Sequence, residues 1–338
     1  MAAKVGSLGI VRYTDANLLF KLHPVVDKSY QATFIDHLLE KSWTQLHAID
    51  DLFLYKFNPS AKQTIPGKYK FLTHLNVGRA VARRQPQLVT STTLPFDGNK
   101  FNFNKIKPQE LLFKVSRDDS DCPVAHIIIN NSPIEYCSSL MVIDPEKCLP
   151  QRLTSSSLQM AIEFCALGQY YRLGFNSLGA EASVNHCHWH VYHQRDYLYL
   201  QSVSVVSESN PIFTDFPLPG FMFEITSASM IPQVVFKVMR LVDHVYTHDD
   251  QAYNLFITRN ESNDSIRVFI WIRKASFGLK NQFKFNPAFL ELSGFFNCKS
   301  EQSLKEIDQN FCSQLLKSME IDSLDEYSNL LKDFSLEL

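Results

Sequence analysis

Nowhere does the chain string together the 18 apolar residues of a membrane-spanning helix. Its first stretch, MAAKVGSLGIVRYTDANLLF, lacks the basic start, apolar middle and small-residue cleavage site of a secretory signal, so a cytoplasmic location is expected, with no membrane partner. The seven cysteines are odd in number and include no CxxC pair, which argues against a disulfide framework and against a cysteine-ligated zinc cluster. Asn260 and Asn263 head formal glycosylation acceptors, without consequence in a cytosolic chain. Charge of one sign is also missing: 33 Lys and Arg face 35 Asp and Glu, a net −2 that gives no reason to expect nucleic acid. Short repeats and low-complexity tracts are absent too.

What is present reads as an ordinary soluble globular protein, 45% hydrophobic, 12% aromatic and 20% charged. Its 338 residues exceed the usual single-core size of ~250, so two modules or a pair of similar halves are expected. From Tyr30 to Tyr55 the apolar residues Phe34, Leu38, Trp43, Leu46 and Leu54 recur at helical spacing and predict one long or two short helices. The texture turns β-like after Phe101. Strands are predicted at 111–115, 124–130, 139–143, 170–176 and 186–193, with a helix from the TSSS cap between the third and fourth. A second group follows at 197–206, 221–226, 253–259 and 267–274, with a helix across IPQVVFKVMRLVDHVY between its middle two. The two groups restate one theme. A tail helix, with Leu304, Ile307, Phe311 and Leu315 on one face, packs on the body.

The densest chemistry lies in EASVNHCHWHVYHQ, residues 181–194, with four histidines in eight positions. In an extended strand His186, His188 and His190 share one face, while Cys187, Trp189 and Val191 share the other. Three uses fit that spacing: two ligands for a zinc ion completed from elsewhere, a nucleophilic imidazole held by its neighbours, or plain strand histidines. Just upstream, Gly174 and Gly179 flank the small-residue segment 177–183, where backbone amides can approach an anion closely. That context favours the nucleophile. His193 falls outside the register and reads as a partly exposed strand-end residue.

SVNHCHWHVYHQ resembles the histidine triad motif, and GFNSLGAEASVNHCHWH resembles the GDP-hexose phosphorylase branch, relatives of galactose-1-phosphate uridylyltransferase. KYKFLTHLNVGRAVARR, FNFNKIKPQELLF, NNSPIEYCSSLMVIDP, YNLFITR and RVFIWIRKASFG extend the resemblance across roughly residues 65–300, in order. The animal-type members, which act on GDP-D-glucose, match best. The resemblance implies an α+β, HIT-like fold of two similar halves, each with an antiparallel sheet and packing helices. The expected division is an N-terminal helical arm at 1–64, a catalytic half at 65–200, a second half at 201–300 and a helical tail at 301–338.

It also implies phosphorolysis of GDP-glucose by inorganic phosphate, with neither metal nor cofactor, through a guanylylated histidine. His188 takes the nucleophile's place. His186 supports it through a backbone carbonyl that receives the proton on the nucleophile's other nitrogen. His190 stands where the uridylyltransferases and the plant GDP-galactose enzymes carry glutamine, which leaves its part in leaving-group departure open. Asn176, Gly179 and Ser183, with the 179–183 backbone, are candidates for the α-phosphate. Arg79, Arg83 and Arg84 are candidates for the attacking phosphate, since arginine's planar fork suits phosphate. Asn131 and Glu135 are candidates for ribose or base, followed by Phe103, Asn104 and Lys105. The alternatives are another nucleotide hydrolase or nucleotidyltransferase of the same fold, or a nucleotide-binding protein without turnover.

Overall fold

The computed structural model describes residues 4–5, 9–22, 32–82, 87–119, 122–207, 209–278 and 285–332. The chain begins with β1 (Lys4–Val5), antiparallel to β2 (Ile10–Tyr13), so the expected helical arm also contributes strands. A single helix, α1 (Phe34–His47), then starts where the Thr33 hydroxyl accepts the Asp36 amide at 3.2 Å and the Asp36 carboxylate accepts the Thr33 amide at 2.8 Å. Its buried stripe is Ile35, Leu39 and Trp43, at i, i+4 and i+8, so Phe34 and Leu54 of the expected stripe are exposed instead. Next come β3 (Gln63–Thr64), β4 (Leu72–Leu75) and the short α2 (Val77–Val81).

The meander β5 (Leu111–Arg117), β6 (Ala125–Ile129), β7 (Ser139–Ile143) leads to α3 (Ser155–Leu167), capped by the Thr154 hydroxyl, and then to β8 (Tyr171–Asn176) and β9 (Trp189–His193). The second group is β10 (Ile212–Phe213), β11 (Gly220–Ile225), α4 (Ile231–Val245), β12 (Gln251–Arg259) and β13 (Ile266–Lys274). Residues 197–206 are not a strand. They hold a 3-10 turn at Tyr199–Gln201, because Leu198, Leu200 and Val203 all turn into one core rather than to alternate faces. After α5 (Phe289–Leu292) and β14 (Phe295–Cys298) the tail breaks into α6 (Glu301–Glu306), α7 (Gln309–Lys317) and α8 (Leu324–Lys332). The break follows from Asp308, whose carboxylate accepts the Phe311 amide at 2.7 Å and starts a new helix; Cys312 and Leu316 are buried there, and Phe311 is exposed.

Eleven strands form one sheet in the order β1-β2-β5-β6-β7-β9-β8-β12-β13-β11-β10. The segments β6-β7-α3-β8-β9 and β10-β11-α4-β12-β13 run through the same sequence of elements, and their strands lie in mirrored order. The two similar halves thus meet along the antiparallel β8–β12 pair, where Asn254 faces Asn176 and Phe256 faces Gly174, and their sheets merge into one. On one face α1, α3, α4 and α8 cover a core that includes Trp189, Val191, Leu173 and Val238. On the other, a small sheet in the order β14-β4-β3, with α5 and α7, covers Tyr192, Phe256, Phe269 and Trp271. The three triad histidines belong to this second face, beyond the edge of its apolar cover. Among the described residues no helix is long and apolar enough to cross a membrane.

Candidate active site

Strand β9 begins only at Trp189, so His186 and His188 stand on the extended segment leading into it, and His190 alone sits in the ladder, opposite Leu140 and Gly174. Trp189 and Val191 point into the helix-covered core and fix the strand's face. Gly174 leaves a gap over the sheet that the Phe289 ring fills; a Cβ there would overlap that ring. The His190 ring stacks on Phe289, with centroids 5.1 Å apart.

His186 is 1% exposed, its Nδ1 accepts the Phe103 amide at 3.1 Å, and its ring lies between Phe96 and Phe103. Burial lowers its pKa to about 4, so the ring is neutral near pH 7. His188 is 5% exposed, and its Nδ1 lies 2.7 Å from the His186 carbonyl. A carbonyl only accepts, so the proton sits on Nδ1 and the lone pair on Nε2. Gln151 clamps the backbone at this point: its Oε1 accepts the His188 amide at 2.9 Å, while its Nε2 donates to the His188 carbonyl at 3.1 Å and the Asn176 carbonyl at 2.9 Å. The Gln151 amide in turn donates to Asn185, whose side chain donates to the Leu94 and Pro95 carbonyls, which ties the 87–98 connector to the site.

Two hollows meet at Arg79, Ser183 and His190. The first, of about 580 Å³, is walled by His188, Phe103, Asn131, Ser132 and Val184. The second, of about 670 Å³, is walled by Asn176, Glu181, Asn286, Phe289, Glu291 and Lys299. Arg79 projects from α2, anchored by Nη1 on the Ser132 carbonyl at 2.6 Å. The Asn176 Oδ1 accepts from Asn254 at 2.7 Å and from the Phe289 amide at 2.9 Å, which leaves its amide protons as the end available to a ligand. Glu181 holds a left-handed φ of 73°, and Glu291 accepts the Ala288 amide at 3.0 Å, with burial raising its pKa. Cationic Arg79 and Lys299 therefore share the second hollow with two carboxyl groups.

Of the residues singled out in the sequence, His188, His190, Arg79, Ser183, Asn176, Asn131 and Phe103 come together around the hollows, with His186 directly behind them. Glu135 does not line either one. It is 3% exposed, ion-paired with Lys62 at 3.2 Å, and accepts the Tyr136 amide at 2.7 Å, which makes it an internal anchor of its hairpin. Gly179 lines neither hollow; with φ of 77° it turns the chain behind them, close against Thr92, Ala252 and Ala275. Asn104 is spent on the Pro145 carbonyl, and Lys105 on the carbonyls of Asn99 and Lys100. Arg83 and Arg84 lie outside the described residues. His193 is buried, not partly exposed, and is packed among Tyr136, Tyr170 and Tyr171. Glu181 falls inside the quoted histidine stretch but is not singled out by it, and Gln151, Asn286, Glu291 and Lys299 carry no motif of their own; only the fold brings these four here.

Residues 34–192 match the family described as "GDPGP1-like, N-terminal domain", and residues 211–332 match "GDPGP1-like, C-terminal domain". GDP-D-glucose phosphorylase 1 of Danio rerio is 34% identical over 330 residues, 93% of this chain and 94% of that protein. GDP-D-glucose phosphorylase 1 of Homo sapiens is 35% identical over 300 residues, 81% of this chain and 76% of that protein. The crystal structure of yeast Ap4A phosphorylase Apa2 in complex with Ap4A superposes with a TM-score of 0.60 at 12% identity, over 85% of this chain and 98% of that chain, a likeness of fold alone. With both halves matched and relatives of this identity spanning most of its length, the chain belongs to the GDPGP1-like family.

Proposed function

We propose that this chain is a GDP-hexose phosphorylase that splits GDP-D-glucose with inorganic phosphate into GDP and glucose 1-phosphate, by way of a GMP-histidine on His188. The observation that carries the mechanism is the 2.7 Å contact between His188 Nδ1 and the His186 carbonyl, which leaves the Nε2 lone pair for attack at the edge of a hollow. Nε2 bonds to the α-phosphorus, the bond from that phosphorus to the bridging oxygen breaks, and glucose 1-phosphate leaves with the electron pair. Positive charge on the substituted ring is held by the carbonyl at Nδ1. Inorganic phosphate then attacks the same phosphorus in line, GDP leaves, and the imidazole is restored.

The nucleoside occupies the first hollow, beside Phe103 and Asn131. Glucose 1-phosphate leaves from the second hollow, and phosphate enters there, since Arg79 and Lys299 supply positive charge and Asn286, Glu181 and Glu291 supply hydrogen-bonding groups for sugar hydroxyls. Ser183 and Asn176 offer donors to the phosphoryl oxygens between the two. The leaving group is a phosphate monoester and needs little protonation, so either histidine or glutamine can stand at position 190.

Glucose 1-phosphate release from GDP-glucose, measured with and without phosphate, tests the reaction; turnover that ignores phosphate rejects it. Intact mass after incubation with GDP-glucose alone tests the intermediate, which is expected as a GMP adduct on the wild-type chain and on no His188→Asn variant.

A further inference from the structure

On the helix-covered face, on the other side of the sheet from His188, three ligating side chains converge that the reaction has no use for. His244 lies in the last turn of α4, His248 follows three residues after that helix, and Glu326 lies in the first turn of α8. Their ligand atoms all fall within 4.8 Å of one another. Both imidazoles aim Nε2 at the same carboxylate oxygen: Glu326 Oε2 is 3.9 Å from His244 Nε2 and 3.8 Å from His248 Nε2. These separations are too long for hydrogen bonds. They are close to the ~3.4 Å that separates two ligand atoms sharing a tetrahedral zinc ion.

Three further features match a metal site. The His248 Nδ1 lies 3.1 Å from the Thr247 hydroxyl and 3.2 Å from the His244 carbonyl; that hydroxyl donates to the same carbonyl at 2.8 Å, so both oxygens accept from Nδ1, its proton is there, and its Nε2 lone pair faces Glu326. The His244 Nε2 is sealed from solvent and has no hydrogen-bond partner among the described residues. The Tyr327 ring packs against both imidazoles, with centroids 4.9 and 6.3 Å away, and limits their rotation. Glu326 is the exposed member, so a small turn of its side chain shortens both of its separations, and water completes the coordination.

We propose that His244, His248 and Glu326 bind a zinc ion that clips α8 to α4. Two imidazoles and one carboxylate select a borderline ion of the zinc type over magnesium or calcium, which favour all-oxygen sites. The ion is structural, since the whole sheet separates it from the hollows. It adds to contacts that already dock α8: buried Tyr327 and Leu331, and the Ser328 hydroxyl on Asn210 at 2.7 Å.

The test uses the full chain, untagged and stripped with chelator. One equivalent of Co²⁺ should give the visible bands of a four-coordinate ion, and Zn²⁺ should displace it. At a hundredfold excess over its Kd, Zn²⁺ should raise the melting midpoint by about 3 to 5 °C at pH 7.5. His248→Ala at a partly exposed position and Glu326→Gln at an exposed one should each weaken binding by at least about tenfold and leave phosphorolysis unchanged. Failure to bind one equivalent overturns the proposal, as does equal binding by the His248→Ala, Glu326→Gln double variant. A Zn²⁺ effect lost in His188→Asn but kept in that double variant assigns the ion to the triad and overturns it likewise.

Discussion

His186 and His188 differ in what their Nδ1 atoms touch. In His186 this nitrogen accepts a backbone amide, so its lone pair is used and its burial keeps the ring neutral; in His188 it gives its proton to a carbonyl, which puts the lone pair on Nε2, the atom proposed to attack phosphorus. His188→Asn is therefore expected to lower phosphorolysis by about 10⁴-fold or more, with no adduct in the mass spectrum. Gln151→Met keeps the volume but strands the His188 amide and the two carbonyls the glutamine serves. The expected result is a loss of about 1–3 kcal/mol of stability for each stranded group and a fall in kcat larger than the change in KM, read by denaturant melts and steady-state kinetics. Arg79→Lys keeps the charge but loses the fork that grips the Ser132 carbonyl and is proposed to grip the attacking phosphate. It should raise the KM for phosphate more than that for GDP-glucose, and an unchanged phosphate KM would remove Arg79 from that subsite.

Among the elements, the crossing of β8, β9 and α5 decides the shape of the second hollow. Gly174 on β8 lies beneath Phe289, and Phe289 in turn supports the His190 ring. Gly174→Ala forces the α5 wall outward. It should destabilise the protein by about 1–3 kcal/mol through overpacking and cut kcat/KM, whereas Gly98→Ala, in an open loop, should do neither. At this scale much of the architecture is readable in advance. Ser139–Ile143 and the α3 cap at Thr154 follow from an apolar run bounded by turn residues and from a hydroxyl at the helix start. The misread elements are those whose apolar residues serve no periodic face: residues 197–206 fold as a turn into a core, and the tail is cut by an aspartate that caps a second helix.

For the molecule as a whole, the mirrored halves raise the question of how many sites there are. The counterpart of β9 is β13, whose cleft-side positions hold Phe269 and Trp271, both fully buried. Only the first half presents imidazoles on the cleft side of this strand, so the mass of the trapped intermediate should saturate at one GMP per chain. Three buried histidines, His74, His186 and His193, have pKa values lowered by burial to about 4, about 4 and about 3. The unfolded chain protonates them near ~6.5, so the stability tied to their neutral forms is complete above that pH. It is lost as pH falls toward 4, by up to about 1.4 kcal/mol per pH unit for each histidine. Urea midpoints between pH 7 and pH 4.5 check the sign; a midpoint that rises on acidification would contradict it.

The sequence alone determined the alternation that puts three imidazoles on one side of an extended segment, the glycines beside them, and the doubled pattern of strands and helix. These depend on neighbours close in the chain, whose geometry is set by backbone periodicity. Tertiary structure decided the rest. It joined the two halves along β8 and β12, withdrew Glu135 into an ion pair with Lys62, and brought Gln151, Glu291 and Lys299 to histidines many residues away. No local pattern encodes such meetings, because they are settled by which apolar faces bury one another once the whole chain has collapsed.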